Sequence, residues 1–417
     1  MRILHTADLH LGQILYQNYS RTDEHRHFFN QLELWCETYS PDALVVSGDV
    51  FDIQQPGVLV KEFFNNFFVN LHTKFPELTI VITAGNHDSP SRLHADRLLW
   101  KAHNVHVVAL PPPFDLENAP EGWQEKFIIR MENGYIVAIP FLSGERPLQI
   151  QALLDYVNAE NADQKPVVMT GHTAVEGMDY TGHDFKGNVK TIKTDKLGTG
   201  YDYLALGHIH KPQTIGHEED INDELVTYPA GVVRYSGSAL HVSCDERYRH
   251  SVSLVDIDRH GGNVTIQQLF IEQLRHFHIL PSDKESYHSL EETINGVKEF
   301  ISQGGKGYFR LHIDYNAKIP SDINQTIYNL IEGDDELRFN PKTIWEGEEE
   351  AKQSETAVPT FKIADLQQMT DPMHFIERTI DRYPQFTLEE LAEAFREVEE
   401  EVRLMQEEAA AKEKKKK

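Results

Sequence analysis

An α/β fold, with a second, smaller unit and C-terminal helices behind it, is predicted by three features of the sequence. Five short apolar runs each end on polar residues able to bind a metal, helix-like stretches separate the early runs, and the pattern changes after about residue 275. Strands alternating with helices build a mostly parallel sheet. In such sheets functional groups gather just beyond the carboxyl ends of the strands. Motifs scattered from Asp8 to His210 are therefore expected to converge on one site.

In chain order, Ile3-Leu4 precedes Asp8 and His10, and a helix is expected from about Asp23 to Tyr39. Ala43-Leu44-Val45-Val46 precedes Asp49, and a second helix is expected from about Gly57 to Thr73. The run from Leu78 to Ile82 leads to Asn86 and His87. Asn133-Gly134, between two apolar runs, reads as the turn of a tight β-hairpin. Val167-Val168-Met169 precedes His172, and Tyr203 to Leu206 precedes His208 and His210. A further pairing flanks Gly261-Gly262, and the first domain is expected to occupy residues 1–275.

Residues 276–345 read as a small β-α-β-α-β unit. Ser289 and Glu292 form a capping box at its first helix, and Tyr308 to Ile313 alternates as a strand does. Residues 346–359 are acidic and poor in apolar side chains, which suggests a linker. In 360–417, Thr387 and Glu390 cap another helix, with Leu388, Leu391, Phe395, Val398 and Val402 on one face. That face suits either packing on its own domain or docking of a partner. The lysine-rich end, Lys412 to Lys417, reads as a solvated tail.

Composition narrows the class. A chain of 417 residues that is 40% hydrophobic supports two or three units with buried cores. Cys36 and Cys244 alone make neither a disulfide framework nor a cysteine zinc cluster. No apolar run is long enough to span a bilayer, and the first strand leads straight into a motif rather than a signal segment, so a cytoplasmic location with no membrane association is expected. The formal net charge of −26 opposes tight DNA binding by the isolated chain, because affinity for DNA comes largely from neutralised phosphates. Bound cations, a local basic patch or a basic partner would offset that, so DNA remains open as a substrate. Gly304-Gly305-Lys306 is not a phosphate-binding P-loop, since Phe300 stands where its first glycine belongs. Any ATP dependence must come from another chain.

The candidate ligands are Asp8, His10, Asp49, Asn86, His172, His208 and His210. Singly, a string such as Asp8-Leu9-His10 is unspecific. In this order, each after a strand, the set describes a dinuclear centre. Mixed carboxylate, amide and imidazole ligation without cysteine suits Mn²⁺ or Fe²⁺, with Zn²⁺ open. A bridging carboxylate such as Asp49 would set two ions ~3.5–4 Å apart. Such a pair acidifies a bridging water, holds it as hydroxide in line with phosphorus, and neutralises phosphoryl charge. His87 is expected to be a non-ligand that stabilises the transition state or protonates the leaving oxygen, with Asp88 orienting its ring. His25, His27, His94, His103, His183 and His217 are expected to be ordinary surface or satisfied histidines. Arg21, Arg92 and Arg146 lie near motif loops and are candidates for phosphate contact.

The motifs D-x-H, G-D-x-x-D, G-N-H-D, G-H and G-H-x-H resemble those of the calcineurin-like metallophosphoesterase superfamily. The wording of Met1 to Gln13, Gly48 to Asp52, Ala84 to Ser89, Tyr203 to His210, Tyr235 to Ser238, and Ser243 with Asp245-Glu246 is similar to the SbcD family, the nuclease subunits of bacterial SbcCD complexes. The likeness covers about two thirds of the chain. It implies a four-layer α/β/β/α sandwich with a small α+β DNA-capping domain and C-terminal helices. It implies Mn²⁺ ions, one held by Asp8, His10, Asp49 and His210, the other by Asp49, Asn86, His172 and His208, with His87 catalytic. It also implies a 3′–5′ double-strand exonuclease and single-strand and hairpin endonuclease in DNA repair, recombination and replication. An SMC-like ATPase, SbcC, would dock on the C-terminal helices, with a homodimer inside a heterotetramer. Asp52 departs from some archaeal relatives, which carry histidine there, and agrees with bacterial ones. The alternatives are a small-molecule phosphodiesterase or phosphatase on the same core, and a scaffold that has lost activity.

Overall fold

The computed structural model describes residues 1–182, 190–217, 225–243 and 245–346. Most of the linker expected at 346–359, all of the helices expected in 360–417, Cys244 and His183 lie outside the described residues. The described chain divides into two compact units, one from Met1 to Leu274 and one beginning at Arg275.

The first unit begins with β1 (Arg2–Thr6), a short hairpin of β2 (Ile14–Leu15) and β3 (Tyr19–Ser20), and α1 (Thr22–Tyr39). Next come β4 (Ala43–Ser47), α2 (Val58–Lys74), β5 (Thr79–Thr83), the short α3 (Pro90–Ala95) and α4 (Arg97–Lys101), and β6 (Val105–Val108). The second half holds β7 (Ile128–Met131), β8 (Gly134–Ala138), α5 (Pro147–Glu160), β9 (Val167–His172) and β10 (Tyr203–Gly207). It ends with β11 (Gln213–Thr214), β12 (Val226–Tyr228), β13 (Val232–Tyr235), β14 (Ser251–Ile257) and β15 (Val264–Phe270).

These strands form a seven-stranded sheet, β12-β15-β14-β1-β4-β5-β6, and a six-stranded sheet, β11-β13-β10-β9-β8-β7. Within them β1, β4, β5 and β6 are parallel, as are β8, β9, β10 and β13. Side chains alternate between the faces of a strand. Ile3, Val45 and Val81 enter the core shared with Ile136, Val168 and Leu204 of the other sheet. Leu4, Leu44, Val46, Ile80 and Ile82 face a second core with Phe28, Phe64 and Phe68 of α1 and α2. Burial on both faces explains why these strands read as continuous apolar runs rather than alternating ones. Helix α5 sets Ile150, Leu153, Leu154 and Val157 against the second sheet. The result is the four-layer α/β/β/α sandwich. Each fully buried phenylalanine, Phe28 and Phe68 among them, contributes ~1.5–3 kcal/mol.

The hairpin at Asn133-Gly134 differs from expectation by one residue. Gly134 pairs with Met131 inside the ladder, so Glu132 and Asn133 make the turn. A Cβ on Gly134 would lie 2.5 Å from Met1 Sδ and 2.9 Å from the Pro166 carbonyl oxygen. The glycine serves close packing there, not the turn.

Polar contacts tie the two sheets. Ser47 Oγ lies 2.8 Å from Thr170 Oγ1 and 3.1 Å from the Ala205 carbonyl oxygen, and His5 Nδ1 lies 2.8 Å from the Tyr203 hydroxyl. All are buried.

The second unit alternates β16 (Phe277–Leu280), α6 (Leu290–Ser302), β17 (Gly307–Asp314), α7 (Ile323–Leu330) and β18 (Leu337–Glu346), with the strands in one parallel sheet. Its core holds Val297, Phe309, Leu311, Ile327 and Phe339. The Ser289 hydroxyl accepts the Glu292 N–H at 3.2 Å, while the Glu292 carboxylate accepts the His288 N–H at 2.8 Å. This is a capping box with its return bond moved one residue outward. Among the described residues no helix is long and apolar enough to cross a membrane.

Burial, followed by the charge of Arg234, lowers His5 from 6.5 to about 3. Its folded-state pKa thus lies below its unfolded value, so the unfolded chain binds the extra proton between those limits. Stability is expected to be intact above pH 6.5 and to fall as pH drops toward about 3, with His5 contributing about 1.4 kcal/mol per pH unit. Urea midpoints measured across that range should show a shallower pH dependence for His5→Asn than for the parent; equal slopes would refute the assignment.

Candidate metal centre

The chain turns sharply after β1, β4, β5 and β10, and four of the seven expected ligands sit in the left-handed region. Asp8 has φ 51°, His10 46°, Asp49 47° and His208 96°. Non-glycine residues there cost ~1–3 kcal/mol each and persist where the surroundings over-determine them. The loops after β1 and β4 run side by side: Asp8 N–H donates to the Gly48 carbonyl at 3.1 Å, and His10 N–H to that of Asp49 at 3.0 Å. The Asp8 carboxylate accepts the His208 N–H at 3.0 Å, which joins the two sheets at their carboxyl ends.

Three glycines make this approach possible. A Cβ on Gly85 would come 2.0 Å from Asp49 Oδ1, one on Gly48 2.2 Å from His172 Nδ1, and one on Gly207 2.0 Å from the Ser47 carbonyl oxygen.

Asp49 lies between the two expected ligand groups. Its Oδ2 is 3.4 Å from His172 Nε2 and 3.9 Å from His10 Nε2, and its Oδ1 accepts the His87 N–H at 2.8 Å. Ligand atoms of Asp8, His10 and His210 lie within 4.8 Å of one another, as do those of Asp8, Asp49 and His172. Asn86 Oδ1 is 3.0 Å from His172 Nε2 and 2.9 Å from His208 Nδ1. All seven expected ligands therefore meet at one place.

The donor set fits divalent cations. His172 Nδ1 lies 2.8 Å from the Ser47 carbonyl oxygen. Donating its proton there leaves the Nε2 lone pair facing Asp49 Oδ2 and Asn86 Oδ1, three acceptors around one point. His10 Nε2 is buried with no hydrogen-bond partner. Burial alone would lower His10 and His172; the carboxylates instead raise both to about 9, Asp52, Asp49 and Asp8 acting on His10 and Asp49 and Asp8 on His172. Burial would raise Asp49, yet His172, His10 and His87 hold it well below the usual carboxylate range. The pocket thus favours positive charge strongly enough to draw protons into it. Divalent metal ions meet the same demand without the protons.

His87 is exposed, and its ring packs edge-on against His10 with centroids 5.0 Å apart. Its Nδ1 lies 2.8 Å from the Asp52 carbonyl oxygen. The expected orienting role of Asp88 is thereby corrected. The Asp88 carboxylate is buried and accepts the N–H groups of Gly85 (2.8 Å), Phe51 (2.9 Å) and Val50 (3.1 Å). Asp88 pins the β4 and β5 loops together, and Asp52 orients His87. Asp52 also places Oδ1 3.2 Å from His10 Nδ1. The G-D-x-x-D spacing flags Asp52, although not for this use.

Two more residues brace the site in a way the sequence does not indicate, although Glu246 lies in the SbcD-like wording and His25 is expected to be satisfied. Glu246 Oε1 lies 2.7 Å from His210 Nδ1, with nothing in the sequence linking the pair. His25, buried, holds the Leu9 carbonyl oxygen through Nε2 at 2.8 Å, bracing the loop between Asp8 and His10. Arg21 is buried and bonds Glu24 and Gln13, so phosphate contact is ruled out for it; Arg146 donates to the Pro112 carbonyl, and Arg92 is exposed.

Removing the Asp88 carboxylate would leave three buried N–H groups without their acceptor. Asp88→Ala is therefore expected to lose about 3–5 kcal/mol of unfolding free energy in chemical denaturation. A loss below about 1 kcal/mol would contradict the pinning role.

The model of the calcineurin-like phosphoesterase family matches residues 1–212. The SbcD component of the SbcCD nuclease from Escherichia coli strain K12 is 32% identical over 286 residues, which cover 61% of this chain and 65% of that protein. Its counterpart from Rhodobacter capsulatus is 30% identical over 288 residues, covering 62% and 66%, and that from Bacillus subtilis 28% over 286 residues, covering 65% and 70%. The chain thus aligns with about two thirds of the length of these curated relatives. The family match spans half of the sequence and takes in every strand end that carries a donor, from Asp8 to His210: the chain belongs to the calcineurin-like phosphoesterase family.

Proposed function

We propose that the chain is the nuclease subunit of an SbcCD-type complex, hydrolysing DNA phosphodiesters with two Mn²⁺ ions. The observation that carries the reading is the place of Asp49 Oδ2 between His10 and His172, inside a sequence similar to bacterial SbcD nucleases throughout that region. Asp8, His10, Asp49 and His210 would hold one ion, and Asp49, Asn86, His172 and His208 the other. Such a pair supplies Lewis acidity, neutralising phosphoryl charge and acidifying water.

The chain's own groups supply position and protons. With Nδ1–H committed to the Asp52 carbonyl, His87 would pass a proton from Nε2 to the leaving sugar oxygen. Asp49 Oδ1 accepts the His87 backbone N–H, which ties the His87 loop to the bridging carboxylate. The second unit serves as a DNA cap, residues 346–359 link it to the C-terminal region, and 360–417 dock an SMC-like SbcC ATPase. The complex is a cytoplasmic heterotetramer with two nuclease subunits, acting as a 3′–5′ exonuclease on double-strand ends and as an endonuclease on hairpins. A small-molecule phosphodiesterase is the second reading, favoured by the net charge of −26.

Cleavage of an end-labelled DNA hairpin and of a small phosphodiester, each with Mn²⁺ and with Mg²⁺, separates the two readings. It is to be run with and without the ATPase subunit. Hairpin cleavage that needs Mn²⁺ and vanishes in Asp8→Ala is expected. Turnover of the small diester alone, even with the ATPase present, would select the second reading. His87→Ala is expected to keep both ions in calorimetric titration while losing ~10²–10⁴-fold in turnover. Loss of bound metal in that variant would make His87 a ligand instead.

A further inference from the structure

Each of three donor histidines meets a second group on the side away from the cluster. His172 meets the Ser47 carbonyl, His10 the Asp52 carboxylate and His210 the Glu246 carboxylate. The last pair sets a buried carboxylate, held at both oxygens, against the ring. Glu246 is 2% exposed, its Oε1 is 2.7 Å from His210 Nδ1, and its Oε2 accepts the Val242 N–H at 2.8 Å. His250 Nε2 stands 3.5 Å from the same Oε2.

The loop that carries Glu246 is anchored from outside the site. Arg21, at the start of α1 and 1% exposed, donates to the His241 carbonyl oxygen while bonding the Glu24 carboxylate at 2.8 and 3.1 Å and Gln13 Oε1 at 3.0 Å. A histidine that binds a metal offers one ring nitrogen to the ion and keeps its proton on the other. The contact to Glu246 decides which.

We infer that Glu246 is a positioning residue of the metal centre, holding His210 in the tautomer whose Nδ1–H donates to the carboxylate and whose Nε2 faces Asp8 and His10. Outer partners of metal-bound histidines fix ring orientation and raise ligand basicity, and removing one costs ~10–100-fold in metal affinity. Only one of the two metal positions contains His210. Glu246 therefore controls one position and not the other, which a general stabilising role would not do. In Glu246→Gln the side-chain shape is kept, but an amide cannot accept from both His210 and the Val242 N–H.

The inference rests on His210 being a metal ligand, so the parent is measured first. Metal-free full-length parent and Glu246→Gln are titrated with Mn²⁺ by calorimetry at pH 8, and with Co²⁺ while its visible absorption is followed. The parent is expected to bind two ions. The variant is expected to bind one as the parent does and the other ~10–100-fold more weakly, with an altered Co²⁺ spectrum for that ion alone. Fewer than two ions in the parent would defeat the dinuclear reading itself. Two ions bound equally well by both proteins would overturn only the role of Glu246. So would weakening of both ions together with a lower melting temperature. Should the variant fail to fold, nitrogen-15 NMR of the parent's histidine rings decides the matter: a proton on Nδ1 of His210 is required, and one on Nε2 alone would sink the inference.

Discussion

The carboxylate of Asp49 stands where the strand ends of two sheets meet, and the rest of the site is arranged around it. Its Oδ2 faces His172 and His10, and its Oδ1 holds the backbone of His87. The loop after β5 crosses so near that Gly85 has no room for a Cβ. Asp49 itself takes a left-handed backbone, as do Asp8, His10 and His208. Strain repeated at four donors is tolerated only because other interactions over-determine the same conformation. The parallel hydrogen bonds that continue past β1 and β4, and the Asp8 clasp on His208, do so here.

Electrostatics follows from that crowding. Asp8, Asp49, His10 and His172 are all buried, where bare charge is expensive. With no metal ion, the least costly state moves protons onto His10 and His172 and keeps Asp49 ionised, which is the direction of each shift. Divalent cations remove the conflict and release protons as they bind, so metal affinity and folding stability are linked.

A layer of groups outside the donors makes the arrangement single-valued. Asp88 binds three N–H groups across two loops, Asp52 serves both His10 and His87, and Glu246 closes on His210. Arg21, whose place near a motif loop suggested phosphate contact, is instead a buried tie between α1 and the Glu246 loop. A position next to a motif says little about which way a side chain faces.

The strands and the donors were legible in the sequence for a shared reason. Strands buried on both faces must be apolar throughout, so each donor appears as an abrupt polar residue after an apolar run, visible without any knowledge of partners. The seven candidates Asp8, His10, Asp49, Asn86, His172, His208 and His210 stand out in this way, and so does His87. The hairpin slipped by one residue because Gly134 answers to Met1 and Pro166, which are distant in sequence. Adjacency in sequence suggests Asp88 as a partner of His87, whereas the turn points its carboxylate back at the β4 loop. Glu246 was invisible as a partner of His210, since a single carboxylate in a loop has no periodicity and no spacing rule. Local pattern alone thus determined which residues could bind metal, because pattern records burial along the chain. Tertiary structure decided which of them are oriented and by what, because hydrogen-bond partners are set by distances in space that no spacing in sequence encodes.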